Sequence, residues 1–399
     1  MLLELIETEV SQMKENVPSE KSAFVLNSNQ RLIFLDSLRG LAALIVCFHH
    51  LFKLHESFFN AHTTEIAYKI LSFVSSLNSE AVKFFFVLSG FSIGLSLKDK
   101  KLTSKEVINE YYYRRLKRIL PIYLIALGFT FLTGLCLNDI HKPEYSFVNF
   151  LGNLFFLQTS ASFPESWFVP YGFNGPLWSL APEFFFYCFF PIAFIVNARY
   201  LKRMNSTIKY FVLFGISVLA FAVNKIMFIP YNLFLGTFFL WFLGYLCAHT
   251  YLLNISYTKF FVSGFAVAFL FLNFGVSRIH SDSLQFIFTG VIVGSIFYFV
   301  TYLRMNIYLI NASKGLVKIL NGLFFFTGKG SFALYALHYP VLLMMYHYQV
   351  SIFFQLIILL GLIFVCVHLE EWAIKWKFPF LRKDYSKLIP FNLNKTIEN

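Results

Sequence analysis

Charge is what this sequence has least of. Only 14% of its 399 residues are Asp, Glu, Lys or Arg, against about 25% in an ordinary soluble domain. That scarcity excludes the usual solvated enzyme surface. The five cysteines, Cys47, Cys136, Cys188, Cys247 and Cys366, show no C-x-x-C spacing, which argues against a disulfide scaffold or a thiolate cluster. Each lies in or beside an apolar run, where a thiol packs as a small hydrophobe. No internal repeat and no low-complexity linker is present, so neither a solenoid nor a second domain is expected. The first 30 residues lack a basic segment leading into a short apolar core, so no cleavable signal peptide is expected.

What fills the chain instead is apolar: 57% of it, with 54 Phe and 22 Tyr. At about 20 apolar residues per crossing of a roughly 30 Å hydrocarbon layer, about ten runs can be marked off. They are 32–52, 78–97, 119–137, 176–197, 209–224, 231–253, 258–275, 284–303, 330–348 and 351–372. The pattern predicts an all-α polytopic membrane protein, with one membrane domain over 32–374 between polar tails at 1–31 and 375–399. The Phe-rich piece 145–158 is too short to cross and reads as interfacial or re-entrant. With the N-terminus inside, 26 Lys and Arg fall on inner flanks, six on outer ones, and Arg39 within a span. Both termini are therefore expected in the cytoplasm. This bias carries most of the +12 net charge, so nucleic-acid binding is not needed to explain it.

The informative residues are the ionisable ones inside the spans, each of which costs about 2.5–3.5 kcal/mol on insertion scales. The segment FLDSLRGLAALIVCFHHLF, residues 34–52, holds Asp36, Arg39, His49 and His50. At about 100° per residue, Arg39 and His50 share a helix face roughly 16 Å apart along the axis, and His49 lies about 80° round from it. Asp36, three residues before Arg39, can pair with the guanidinium. The stripe reads as a cytoplasmic anion site with a proton-transfer group deeper in. Equally, Asp36 and Arg39 could be a neutralised packing pair, with the histidines at the outer interface.

Four further segments are ambiguous in the same way. In YYYRRLKRILPIYL, residues 111–124, Arg115 and Arg118 stand one turn apart, either as a phosphate fork or as a positive-inside anchor. In NGPLWSLAPEFFFYCFFPI, residues 174–192, Glu183 precedes three phenylalanines and either has a partner or has a raised pKa. In GKGSFALYALHYPVL, residues 328–342, His338 falls near mid-membrane, as a site residue or as an interhelical hydrogen-bonder. The small residues of FFFVLSGFSIGLSL, residues 84–97, suit close approach of a helix backbone or of a ligand.

In order and spacing these pieces resemble the membrane acyltransferase family three, ten-helix transferases that O-acylate bacterial cell-surface carbohydrates. The resemblance runs from about Leu35 to the tenth span. It is carried by Asp36-Ser37-Leu38-Arg39-Gly40 with His50, by Phe86-Val87-Leu88-Ser89-Gly90-Phe91, by Arg115-x-x-Arg118, by Trp178-Ser179-Leu180 with Glu183 and Phe186-Tyr187, and by Ser331, Leu334-Tyr335 and His338-x-Pro340.

The resemblance implies an acyl-CoA donor, usually acetyl-CoA, entering from the cytoplasm, a saccharide hydroxyl as acceptor, and a multi-pass place in the bacterial inner membrane among its lipids. Arg39 and His50 would be the essential pair, with Glu183 beside them in catalysis. Arg115, Arg118, Arg39 and Ser89 would hold the donor, and Asp36, Trp178 and His338 would bind or orient substrate. No metal is expected, and a homo-oligomer stays open. Two departures stand out. Phe184 and Phe185 occupy positions where many members carry an acidic or amide residue, and the hydrolase-like extracytoplasmic domain fused to some members has no counterpart here. The rival readings are a transporter or flippase for lipid-linked saccharides, and the other large membrane O-acyltransferase family, against which the Arg39-to-His50 spacing argues.

Overall fold

The computed structural model describes residues 28–97, 104–159, 166–201, 232–253 and 316–376, with scattered positions between them. Among these the regular structure is helical, without a strand. The helices are α1 (Ser28–Leu54), α2 (Glu56–His62), α3 (Glu65–Ser76), α4 (Asn78–Ser96), α5 (Lys105–Cys136), α6 (Phe147–Leu154), α7 (Leu180–Tyr200), α8 (Asn232–Leu253), α9 (Leu316–Lys329), α10 (Ser331–His347) and α11 (Ile352–Lys375). Short 3-10 turns cover Pro143–Tyr145, Tyr171–Phe173 and Gly175–Ser179. Five helical stretches are long and apolar enough to cross a membrane: Leu35–Leu54, Glu65–Ser96, Lys105–Cys136, Gly175–Val196 and Ile352–Lys375.

Local chemistry marks several helix starts. The side chains of Thr64, Ser104 and Ser146 accept from the amides of Ala67, Val107 and Asn149, satisfying donors that have no partner within the helix. Seven of the expected spans coincide with α1, α4, α5, α7, α8, α10 and α11. The spans expected at 258–275 and 284–303, and most of 209–224, lie outside the described residues. The structure differs from expectation at α5, which starts at Lys105 rather than 119, because nothing in EYYYRRLKR breaks a helix. It differs again at α9, where hydropathy points to an inner loop. The α9 segment is 14 residues long, about 21 Å at 1.5 Å per residue. The Phe-rich piece is the short α6.

Two helix crossings have no room for a side chain. A β-carbon on Gly40 of α1 would lie 1.9 Å from the Phe324 carbonyl oxygen, and one on Gly328 of α9 would lie 1.8 Å from the Asp36 carbonyl oxygen. Gly90 of α4 and Gly244 of α8 meet the Trp241 and Val87 carbonyls at 1.8 and 1.9 Å in the same sense. Small residues let backbones touch where lipid offers no hydrophobic drive to association. Gly90 and Gly94 of 84–97 thus serve helix packing, and the first crossing fixes Asp36 and Arg39 in place.

Irregular backbone between α6 and α7 is tied down by amides. Asn153 donates to the Val169 carbonyl (2.8 Å) and accepts from the Tyr171 amide (3.0 Å), while Asn149 accepts from the Val169 amide (3.2 Å). Non-helical chain at membrane depth requires this kind of satisfaction. Asn174, fully buried, donates to the Ala336 carbonyl at 3.0 Å. That carbonyl stands four residues before Pro340, which has no amide hydrogen to give it.

The packed interior is largely aromatic, with Trp241, Tyr123, Phe52, Phe86 and Phe186 wholly buried. On α11, Phe353, Ile357, Leu360 and Phe364 are exposed along one face, while Gln355, Ile363, Cys366 and Val367 are buried on the other. An exposed apolar stripe of that length suits lipid rather than water.

Candidate active site

The two neighbouring histidines of α1 point to different helices. His49 donates from Nδ1 to the Ser75 carbonyl (2.9 Å) at the end of α3. The His50 ring instead lies 5.3 Å from that of His338 and 4.7 Å from that of Tyr339, both on α10. His338 is fully buried, and its Nδ1 donates to the Leu334 carbonyl at 2.9 Å. Nδ1 therefore holds the proton of the neutral ring, leaving Nε2 with a lone pair. That Nε2 is buried without a hydrogen-bond partner, beside a half-buried His50.

Nearer the start of α1 is a cluster of guanidinium groups. Arg39 pairs with Asp36 at 3.0 Å and donates to the Ser92 hydroxyl at 2.5 Å. Arg115 lies over the rings of Tyr111 and Tyr187, 5.9 Å from each centroid. Arg118 is within electrostatic reach of Arg39, Asp36, Tyr187, Glu183 and Glu370. Neither Arg115 nor Arg118 is in an ion pair among the described residues, whereas the neighbouring Arg114 is bound to Glu110. Buried arginines normally find a carboxylate. Two half-buried forks without one suit an incoming phosphate.

A relay of hydroxyls backs this cluster. Tyr187 donates to Glu183 at 2.6 Å, so Ser89 must donate to Tyr187 (2.6 Å), and the Trp241 indole donates to Ser89 (3.2 Å). Each donor has one acceptor and the chain ends on the carboxylate. Glu183 thus finds its partner in Tyr187 rather than in a histidine. Ser89, expected at the donor, has its hydroxyl engaged on both sides, by Tyr187 and by Trp241. Phe184 stacks on Phe156 with ring centroids 4.2 Å apart. Trp178 is half-buried in the turn before α7, packed against the core.

Glu370 on α11 joins the site without a motif to mark it. Its Oε1 accepts from the amides of Phe332 (2.8 Å) and Ala333 (3.0 Å), capping the start of the helix that carries His338. In sequence it resembles flanking charge beside Glu371. Helical spacing from the buried Ile363, Cys366 and Val367 separates the two, since Glu370 continues their face.

Comparison with known proteins places the chain among acyltransferases. The chain is 33% identical over 164 residues to the acyltransferase MdmB of Streptomyces mycarofaciens, covering 41% of this chain and 39% of that protein. It is 25% identical over 314 residues to a protein of Acidianus two-tailed virus named as an acetyltransferase, covering 76% and 81%. A Staphylococcus aureus (strain COL) protein named as an O-acetyltransferase is 27% identical over 195 residues, 47% of this chain and 28% of its own. The chain thus spans well under half the length of the streptomycete and staphylococcal relatives. No solved structure matches it. A family model described as an acyltransferase domain matches residues 32–369, a span that holds His50, the arginine cluster, the hydroxyl relay and all but the last turns of α11. The chain belongs to that acyltransferase family, the one its motifs resemble.

Proposed function

We propose that this protein is an integral-membrane O-acyltransferase that moves an acetyl group from acetyl-CoA to a saccharide hydroxyl, with His50 as general base. The observation that carries the reading is the placement of His50 against the unpartnered Nε2 of His338, on the same helix as Arg39. In this reading Arg115 and Arg118 take the phosphates of coenzyme A, Arg39 adds charge beside them, and the pantetheine arm runs along α1 toward His50. The sugar oxygen attacks the thioester carbonyl while His50 removes its proton. The carbon–sulfur bond then breaks, and the imidazolium returns the proton to the departing thiolate. A neutral imidazole can take the proton and give it back, and such catalysis is typically worth about 10²–10⁴-fold. His338, with Nδ1 committed to the Leu334 carbonyl, packs its ring against that of His50 and holds the imidazole in place. The setting is a bacterial inner membrane, with the donor on the cytoplasmic side.

The test is transfer of label from [14C]acetyl-CoA into de-O-acylated surface glycan by purified protein. His50→Ala should remove incorporation at unchanged expression and membrane insertion, and His49→Ala should keep a substantial part of it. Near-normal labelling by the His50 variant would sink the assignment.

A further inference from the structure

The end of the bundle away from the arginines holds a cavity of about 970 Å³. It lies at the top of roughly the 300–1,000 Å³ range of small-molecule sites, with room for more than one sugar ring. Its wall is built from helix ends: His55 after α1, Asp139 after α5, Lys142 and Tyr145 around the first 3-10 turn, Tyr346 on α10, and Gln349 in the turn to α11. Asp139 and Gln349 are held by tight helix closures, in which the Asp139 amide donates to the Gly134 carbonyl (2.8 Å) and the Val350 amide to the Met345 carbonyl (2.9 Å). These six-to-one bonds lock the residue before each amide donor, Asn138 and Gln349, in left-handed backbone at φ 56° and 52°. The cavity is therefore presented by rigid caps rather than loose loops. His55 is oriented as well, donating to Gln355 at 3.1 Å and packing edge-on against Tyr346 at 5.3 Å.

The lining is mostly apolar, with Phe58, Leu137, Phe173, Leu343 and Phe353 in it, and a few polar groups converge on it, the make-up of a small-molecule site that orients its guest. Aromatic faces carry the negative side of a quadrupole and receive the polarised C–H face of a pyranose, while a carboxylate, an amide and two imidazoles supply acceptors and donors around it. An acyl-CoA phosphate is disfavoured, because Lys142, the only Lys or Arg in the wall among the described residues, is ion-paired with Asp139 at 2.6 Å. Position fits too. His55 is five residues beyond His50, about 7.5 Å along the axis, and Leu343 in the wall is five beyond His338. We propose that this cavity is the acceptor subsite, seating a saccharide of more than one ring with a hydroxyl directed at His50. This rests on the acyl-transfer reading above and extends it to the residues that select the acceptor.

The experiment uses the full chain in lipid nanodiscs with [14C]acetyl-CoA and a de-O-acylated surface-glycan extract of the source cells. Asp139→Asn, Tyr346→Ala and the cavity-filling Leu343→Trp are each expected to raise the glycan KM by about tenfold or more, a factor worth 1.4 kcal/mol, and to keep the acetyl-CoA KM within about twofold. An unchanged glycan KM in all three overturns the subsite. So does a parallel rise in the acetyl-CoA KM, which would make the cavity part of the general fold. A wild-type protein that labels no glycan overturns the saccharide reading itself, a result distinct from either.

Discussion

Tyr187 is the residue whose single hydroxyl does most to order the site. It donates to Glu183 and accepts from Ser89 while its ring lies beneath Arg115. Tyr187→Phe keeps the ring and strands both partners. Leaving buried polar groups unsatisfied costs about 1–3 kcal/mol, so a lower thermal midpoint in detergent is expected, with a raised acetyl-CoA KM as Glu183 turns toward the arginines. A KM unchanged from wild type would confine the relay to stability. The separate surroundings of the two histidines are legible in the sequence itself, because a 100° step is enough to send His49 and His50 to different neighbours. The Asp36–Arg39 pair is legible for the same reason. Glu370 is not. A carboxylate at a span's edge looks like ordinary flanking charge until the helix it caps is in view, and that helix begins 39 residues earlier in the chain.

At the scale of elements, glycine separates contact from lipid. Gly244→Ala would force a β-carbon to within 1.9 Å of the Val87 carbonyl oxygen, so α4 and α8 must part and the Trp241–Ser89 bond with them. Loss of the monodisperse peak in size-exclusion chromatography is expected. Gly128→Ala on α5 and Gly361→Ala on α11 meet nothing within 4 Å. These two should leave the peak intact and, by helix propensity, gain up to about 1 kcal/mol each. Long apolar spans can be read from hydropathy alone. The short α2, α3, α6 and α9 cannot be placed as helices that way, since windows of about 20 residues average over anything shorter. What fixes them is tertiary, as with the glycine contact between α1 and α9.

For the whole molecule, the direction in which the bundle faces decides which compartment supplies each substrate. The asymmetry of Lys and Arg predicts the start of α5 inside and the turn between α10 and α11 outside. In a variant lacking the five native cysteines, Ser351→Cys should react with a membrane-impermeant maleimide on intact cells, and Lys105→Cys only after permeabilisation. The reverse pattern would put the arginine cluster on the wrong side for a cytoplasmic donor. The cavity at the end of the bundle away from the arginines has no signature in the sequence, because its wall is assembled from the ends of helices far apart in the chain. No window of residues contains it.

The Asp36–Arg39 pair has a further consequence, in time rather than space. α9, which closes over it, begins at Leu316, long after α1 ends at Leu54, and at about 5–20 residues per second the ribosome needs on the order of 10–50 s to deliver it. Through that interval α1 waits without its final neighbour. An arginine alone would resist entry into lipid, but one bound to an aspartate a turn away enters as a neutral unit. Replacing Asp36 is therefore expected to show first as slower membrane insertion of α1 during synthesis, read by the glycosylation of a reporter site placed after it.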